Sequence, residues 1–249
     1  MQLVRPLAVL AVSFLALPVV AQTAPAATAP APAAPTTVVK VEKPVDWPNL
    51  GRYRNDDAAL PPPAAGESRV VFMGDSITDG WGRGRGTFFP GKPYVNRGIS
   101  GQTTPQMLVR FQQDVVHLKP KVVVILAGTN DVAGNTGPST PAMIEDNFAS
   151  MAAIARQNGI RVVLASITPA DHYPWKPGID PVAPIHEVNE WLKAFCAREG
   201  LVYLDYFSAM ADEKGGMKPG LSSDGVHPTA AGYAIMGPLA EEAIAKALK

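Results

Sequence analysis

The apolar run Arg69-Val70-Val71-Phe72-Met73 leads without a break into Gly74-Asp75-Ser76-Ile77-Thr78-Asp79-Gly80. A strand that stops at Gly-Asp-Ser and turns into a helix delivers one hydroxyl to the carboxyl edge of a sheet, where open α/β folds bind their ligands. The rest of the chain repeats the alternation. Tyr94-Val95-Asn96, Val122–Leu126, Arg161–Ala165 and Leu201–Leu204 read as further strands. The β-branched run over 122–126 is what a strand covered on both faces requires. Between them lie helical patterns: one opened by Thr104-Pro105 with Met107, Leu108, Phe111 and Val115 inward, one opened by Thr140-Pro141 and closed by Asn158-Gly159, one over 185–198, and one over 230–248 that Pro238 is expected to kink. Short apolar runs alternating with amphipathic ones predict an α/β domain with a mainly parallel sheet of five strands.

Three more motifs follow, two of them just after strands. Asn96-Arg97-Gly98 follows the second, Gly128-Thr129-Asn130-Asp131 the third, and Asp224-Gly225-Val226-His227-Pro228 stands before the last helix. Each alone is ordinary: a helix cap, a strand-ending turn, a surface loop. In this order, and on one edge of one sheet, they gather the parts of a serine nucleophile site. Together they resemble the SGNH subfamily of GDSL-type esterases and lipases, and the likeness covers Gly74 to Pro228. It implies a flavodoxin-like three-layer α/β/α sandwich. It also implies that Ser76 is the nucleophile, His227 the general base and Asp224 its orienter, with Ser76, Gly98 and Asn130 forming the oxyanion hole.

The residue chemistry is consistent with those roles. An imidazole can take the serine proton and return it to the leaving oxygen. A carboxylate three residues earlier is within one local turn of the other ring nitrogen, where it fixes the tautomer. Glycine at 98 lets a backbone N–H approach closely, Asn130 can donate from its amide, and the Ser76 N–H lies at the start of a helix. Asp75 reads as structural, capping that helix. No Gly-x-Ser-x-Gly surrounds any serine, so the nucleophile elbow of α/β-hydrolases is missing. His117, His172 and His186 are scattered and no His-Glu-x-x-His occurs, so no metal and no cofactor is expected.

The two ends of the domain read differently. Residues 1–21 carry Arg5, an apolar run from Leu7 to Val20 and the small-residue site Val19-Val20-Ala21, the pattern of a cleaved secretory signal peptide. Export to the periplasm or beyond is the expectation, with no membrane span in the mature protein. Residues 22–37 are an Ala/Pro-rich linker. Residues 38–66 form an extension whose Trp47, Leu50, Tyr53 and Leu60 are expected to clamp along the domain proper, 67–249. The 22 basic and 22 acidic residues balance, which gives no reason to expect nucleic acid. Cys196, the single cysteine, excludes an intrachain disulfide and reads as a buried, inert thiol.

Substrate choice is the least legible part. The segment 168–184 is longer than a minimal connection, and His172, Tyr173 and Trp175 in it are candidate substrate contacts; the alternative is a surface loop packed by its own aromatics. Trp81-Gly82-Arg83-Gly84-Arg85-Gly86 reads as a flexible connection beside the nucleophile, its arginines either solvated or facing an anionic substrate. The chain leaves little room for a large lid, which favours a short acyl group, acetyl first, on a small-molecule or carbohydrate alcohol. A lysophospholipase or thioesterase would use the same machinery, and a noncatalytic carbohydrate-binding module would keep the fold without turnover.

Overall fold

The computed structural model describes residues 45–249. The expected leader, the Ala/Pro-rich stretch and the first residues of the extension lie outside them. Five strands, β1 (Val70–Gly74), β2 (Tyr94–Gly98), β3 (Val122–Leu126), β4 (Arg161–Ala165) and β5 (Val202–Leu204), form one parallel sheet in the order β2-β1-β3-β4-β5. Gly74 is in register with both Gly98 and Leu126, so three strands end at one level. The chain leaves β1 in one direction for β2 and returns past it to β3, and the carboxyl ends of β1 and β3 are therefore the switch point of the sheet.

Among the described residues eight α-helices complete the layers: α1 (Arg54–Ala59), α2 (Ser76–Gly80), α3 (Thr104–Asp114), α4 (Thr129–Val132), α5 (Pro141–Gln157), α6 (Val182–Glu199), α7 (Tyr206–Met210) and α8 (Ala230–Leu248). Alternate residues of each strand feed two separate cores. Val71, Met73, Val123 and Ile125 pack with Met107, Phe111, Phe148 and Leu192 of α3, α5 and α6. Val70, Phe72, Val122 and Val124 pack on the other face with Tyr233, Met236 and Ile244 of α8. This is the three-layer α/β/α sandwich that the motifs implied. The helix starts follow from their caps. Thr103 and Gln106 close a capping box ahead of α3, and the side chains of Thr140 and Thr229 accept N–H groups of α5 and α8. Helix α6 begins three residues before Ile185, at Val182, whereas α8 spans Ala230–Leu248 as the sequence reading had it, with Pro238 inside the helix.

The loop 81–88 is not the flexible connection that its glycines suggested. Trp81 is buried and its indole N–H donates to the Thr87 carbonyl (3.1 Å), while the Gly82 N–H donates to the Arg85 carbonyl (3.1 Å). Phe72, Trp81, Phe88, Phe89, Tyr94 and Tyr233 form one aromatic cluster with ring centroids 5.0–5.9 Å apart. Gly86, at φ 63°, is glycine because a Cβ there would lie 2.6 Å from that of Tyr233. The loop is thus closed on itself and anchored to α8.

The extension also holds on by other means than its apolar side chains. Trp47 remains 46% exposed. The backbone does the clamping: Gln106 donates to the Trp47 carbonyl (2.7 Å), Gln102 to that of Pro48 (2.7 Å) and Gln113 to that of Leu50 (2.8 Å). Among the described residues of the extension only Tyr53 is fully buried; its hydroxyl donates to the Gly98 carbonyl, and the guanidinium groups of Arg52 and Arg97 lie over its ring.

Candidate active site

Asp75 caps α2, its carboxylate accepting the Ile77 N–H (2.9 Å). That leaves the side chain of Ser76, the first helical residue, free of any capping role and half-exposed at the switch point. His227 reaches it across 151 positions of sequence, with Nε2 2.9 Å from Ser76 Oγ. The other ring nitrogen, Nδ1, lies 2.7 Å from Asp224 Oδ2. Asp224 is itself fixed, because Oδ1 accepts the N–H groups of Val226 (3.0 Å) and His227 (2.8 Å) and the hydroxyl of Ser222 (3.1 Å). Burial alone would push this carboxyl up; the hydrogen bonds from His227 and Val226 outweigh it and hold the group well below the usual carboxylate range. The aspartate is therefore a fixed anion opposite Nδ1, which leaves Nε2 as the acceptor facing Ser76.

Asn130 enters the same cleft from α4, 2% exposed. One of its amide hydrogens goes to the Gln102 carbonyl (3.0 Å) and its oxygen accepts from Asn135 (2.7 Å), so the second hydrogen is free to point outward. Its neighbours in the motif are occupied elsewhere: Thr129 bonds the Tyr173 hydroxyl (3.0 Å), and buried Asp131 accepts both the N–H and hydroxyl of Thr104.

Gly98 does not take the place expected of it. Its N–H donates to Asn96 Oδ1 (2.9 Å), and it does not line the cleft. It is glycine for packing, since a Cβ would collide with the backbone nitrogen of Asp79. The glycine that does line the cleft, beside Ser76 and Asn130, is Gly101, at φ 79° with its N–H donating to nothing among the described residues. The pattern Ser100-Gly101-Gln102 carried that signal, because a glycine three residues past the end of β2 suits a left-handed turn that points an N–H outward.

Of the loop candidates, only Trp175 reaches the cleft, where it is held by an indole N–H bond to Asn135 Oδ1 (3.1 Å) and its ring centroid is 6.0 Å from that of His227. Tyr173 is corrected to a core residue: it is 1% exposed with its hydroxyl spent on Thr129. His172 is corrected too; its ring bonds Asp171 (2.6 Å) and lies against Gly225, outside the cleft lining. The cleft, about 480 Å³, is completed by Asp79, Gly80, Arg83, Arg85, Ser100 and Asn135. His117 and His186 are exposed and do not line it, and burial pushes the Cys196 thiol up to about 12. Among the described residues no group of three or more His, Cys, Asp or Glu side chains is gathered to hold a metal ion, and no helix is long and apolar enough to cross a membrane.

Two buried carboxyls under the site give it a pH dependence. Burial pushes Asp75 up to about 7 and Asp131 up to about 6. A carboxyl whose folded pKa is raised favours folding while protonated, and stability falls as pH climbs from the unfolded value, near 4, through the folded one. Asp75→Asn keeps an acceptor for the Ile77 N–H and cannot ionise. Its Tm relative to wild type is expected to rise between pH 5 and pH 8, by an amount that reflects a few kcal/mol; parallel melting curves at both pH values would refute the assignment.

Comparison with known proteins places this arrangement. The model of the GDSL-like lipase/acylhydrolase family matches residues 72–235. A solved GDSL-like lipase from Bacteroides thetaiotaomicron superposes with a TM-score of 0.78 at 44% identity, covering 81% of this chain and 100% of that one. Esterase TesA of Pseudomonas aeruginosa is 32% identical over 139 residues, 55% of this chain and 62% of the esterase. The acetylxylan esterase of Geobacillus stearothermophilus is 37% identical over 87 residues, 26% of this chain. The matched stretches thus span less than two thirds of these two esterases, 62% and 40% of their lengths.

Proposed function

The chain belongs to the GDSL-like lipase/acylhydrolase family, and from that premise we propose an exported, metal-free serine esterase that removes short acyl groups, acetyl above all, from a small-molecule or carbohydrate alcohol. The observation that carries the reading is the unbroken line from Ser76 Oγ to His227 Nε2 (2.9 Å) and from Nδ1 to Asp224 Oδ2 (2.7 Å). In this mechanism the Ser76 oxygen attacks the ester carbonyl as its proton passes to Nε2. The N–H groups of Ser76 and Gly101 and the free amide hydrogen of Asn130 receive the negative charge on the carbonyl oxygen. Collapse of the tetrahedral intermediate expels the alcohol, which takes the proton from Nε2 and leaves an acyl-Ser76. Water, deprotonated by the same nitrogen, attacks the acyl carbonyl, and the acid is released as the bond to Ser76 Oγ breaks and Oγ takes that proton back.

The acyl preference rests on the cleft. At about 480 Å³, shared between acyl group and alcohol, it favours a small acyl group. Trp175 on its rim offers a face for a sugar ring, and the partial likeness to an acetylxylan esterase points the same way. Export rests on the leader pattern of residues 1–21. The test is hydrolysis of p-nitrophenyl acetate, butyrate and octanoate by the mature domain, alongside labelling with a fluorophosphonate. Turnover falling steeply with chain length, with the label on Ser76, is the expected outcome. A folded protein that neither turns over any ester nor takes the label would overturn the reading in favour of a binding module.

A further inference from the structure

The cleft is not electrically neutral, and its excess charge is on one wall. Asp79 is the carboxylate on that wall, and it is already compensated: Arg83 Nη1 lies 2.9 Å from it, Arg52 Nη2 3.8 Å, and the Ser100 hydroxyl donates to it at 2.8 Å. Arg83 is further held by the Tyr53 hydroxyl (3.4 Å). Asp224, which is not part of the cleft lining, is committed to His227. The guanidinium of Arg85, which lines the cleft with Ser76 and His227, has no hydrogen-bond or ion-pair partner among the described residues.

An exposed arginine is usually just solvated, but this one is held in place. Its carbonyl accepts the Gly82 N–H (3.1 Å), and the next residue, Gly86, is wedged against Tyr233 of α8. Its stem lies beside the last residue of α2, with Cδ 3.5 Å from where a Cβ on Gly80 would stand, four residues after the nucleophile. The guanidinium is thus carried on an anchored loop beside the end of the nucleophile's own helix. A planar fork of donors so placed matches a carboxylate, which it can bind bidentately with charge-assisted hydrogen bonds. Trp175 lines the same cleft and supplies an apolar face for the ring that carries such a group.

We propose that Arg85 is an anion subsite and that the substrate is an ester whose alcohol portion carries a carboxylate close to the acylated hydroxyl, as in an acetylated uronate. The proposal rests on the esterase reading of the same cleft and narrows its substrate class.

The test compares 4-acetoxybenzoate with its neutral isostere 4-acetoxybenzamide, in wild type and Arg85→Gln, with circular dichroism to verify folding. The quantity read is the ratio of the two kcat/KM values. Wild type is expected to favour the benzoate, the variant to lower that ratio about tenfold, equivalent to about 1.4 kcal/mol, and 0.5 M NaCl to compress the wild-type preference by screening. Both esters hydrolysed with a ratio that Arg85→Gln leaves unchanged would overturn the anion subsite while the esterase stands. Neither ester hydrolysed and no fluorophosphonate label on Ser76 would overturn both.

Discussion

Ser76→Ala is expected to lower kcat for p-nitrophenyl acetate by on the order of 10⁶-fold and to leave the melting temperature where it was. The size follows from what the hydroxyl does: without it no acyl-enzyme forms, and what remains is the oxyanion donors acting on bound ester and water. The unchanged fold follows from what the hydroxyl does not do. Capping of α2 belongs to Asp75, and among the described residues the Ser76 side chain bonds only to His227. His227→Ala is expected to cost nearly as much, because an unassisted serine is a weak nucleophile. The informative variant is the double one. Residues that work as one unit lose their effect together, so Ser76→Ala/His227→Ala should be no slower than either single variant. A double variant whose losses multiply would mean that the two act independently, and the shared proton path would be wrong.

The hydrogen-bonded line from Asp224 through His227 to Ser76 was readable in the sequence because its parts sit where strand and turn chemistry put them. Gly74-Asp75-Ser76 had to follow a strand, and the three-residue spacing of Asp224 and His227 fits a single side-chain-to-backbone turn. The donor at Gly98 was misassigned for a physical reason. Close backbone approach and an outward N–H both call for glycine, and a sequence does not tell them apart. Gly98 serves the first, against Asp79, and Gly101 the second. Tyr173 and Trp175 show the same ambiguity in aromatics. Only the fold reveals that the Tyr173 hydroxyl meets Thr129 from another strand's edge, while Trp175 stays at the rim. The clamp of the extension was invisible in detail, since its hydrogen bonds use backbone carbonyls that every residue has.

The most deeply buried charge is the other place where a large effect is expected. Arg110 and Asp114 have no exposed side-chain surface at all and pair at 2.9 Å. Arg110 also donates to Gln102 Oε1 and to the Gly74 carbonyl (3.0 Å), the residue that ends β1 just before Asp75-Ser76. Arg110→Met strands a buried carboxylate and removes the donor from two buried acceptors. Breaking one side of such a pair costs about 3–5 kcal/mol, a fall in Tm on the order of 10 °C for a domain of this size. Replacing both partners, Arg110→Met with Asp114→Leu, removes the stranded charge and should return most of that stability. It should not return the activity. Gln102 is the hub through which Arg110 reaches the site: its carbonyl holds the Asn130 amide (3.0 Å), its side chain holds the extension at Pro48 (2.7 Å), and it directly follows Gly101. With Gln102 Oε1 unanchored, two of the three oxyanion donors lose their fixed support, so kcat should stay depressed with KM little changed while Tm recovers. If the double variant regains kcat along with Tm, the network is structural only, and the oxyanion donors are held in place without it.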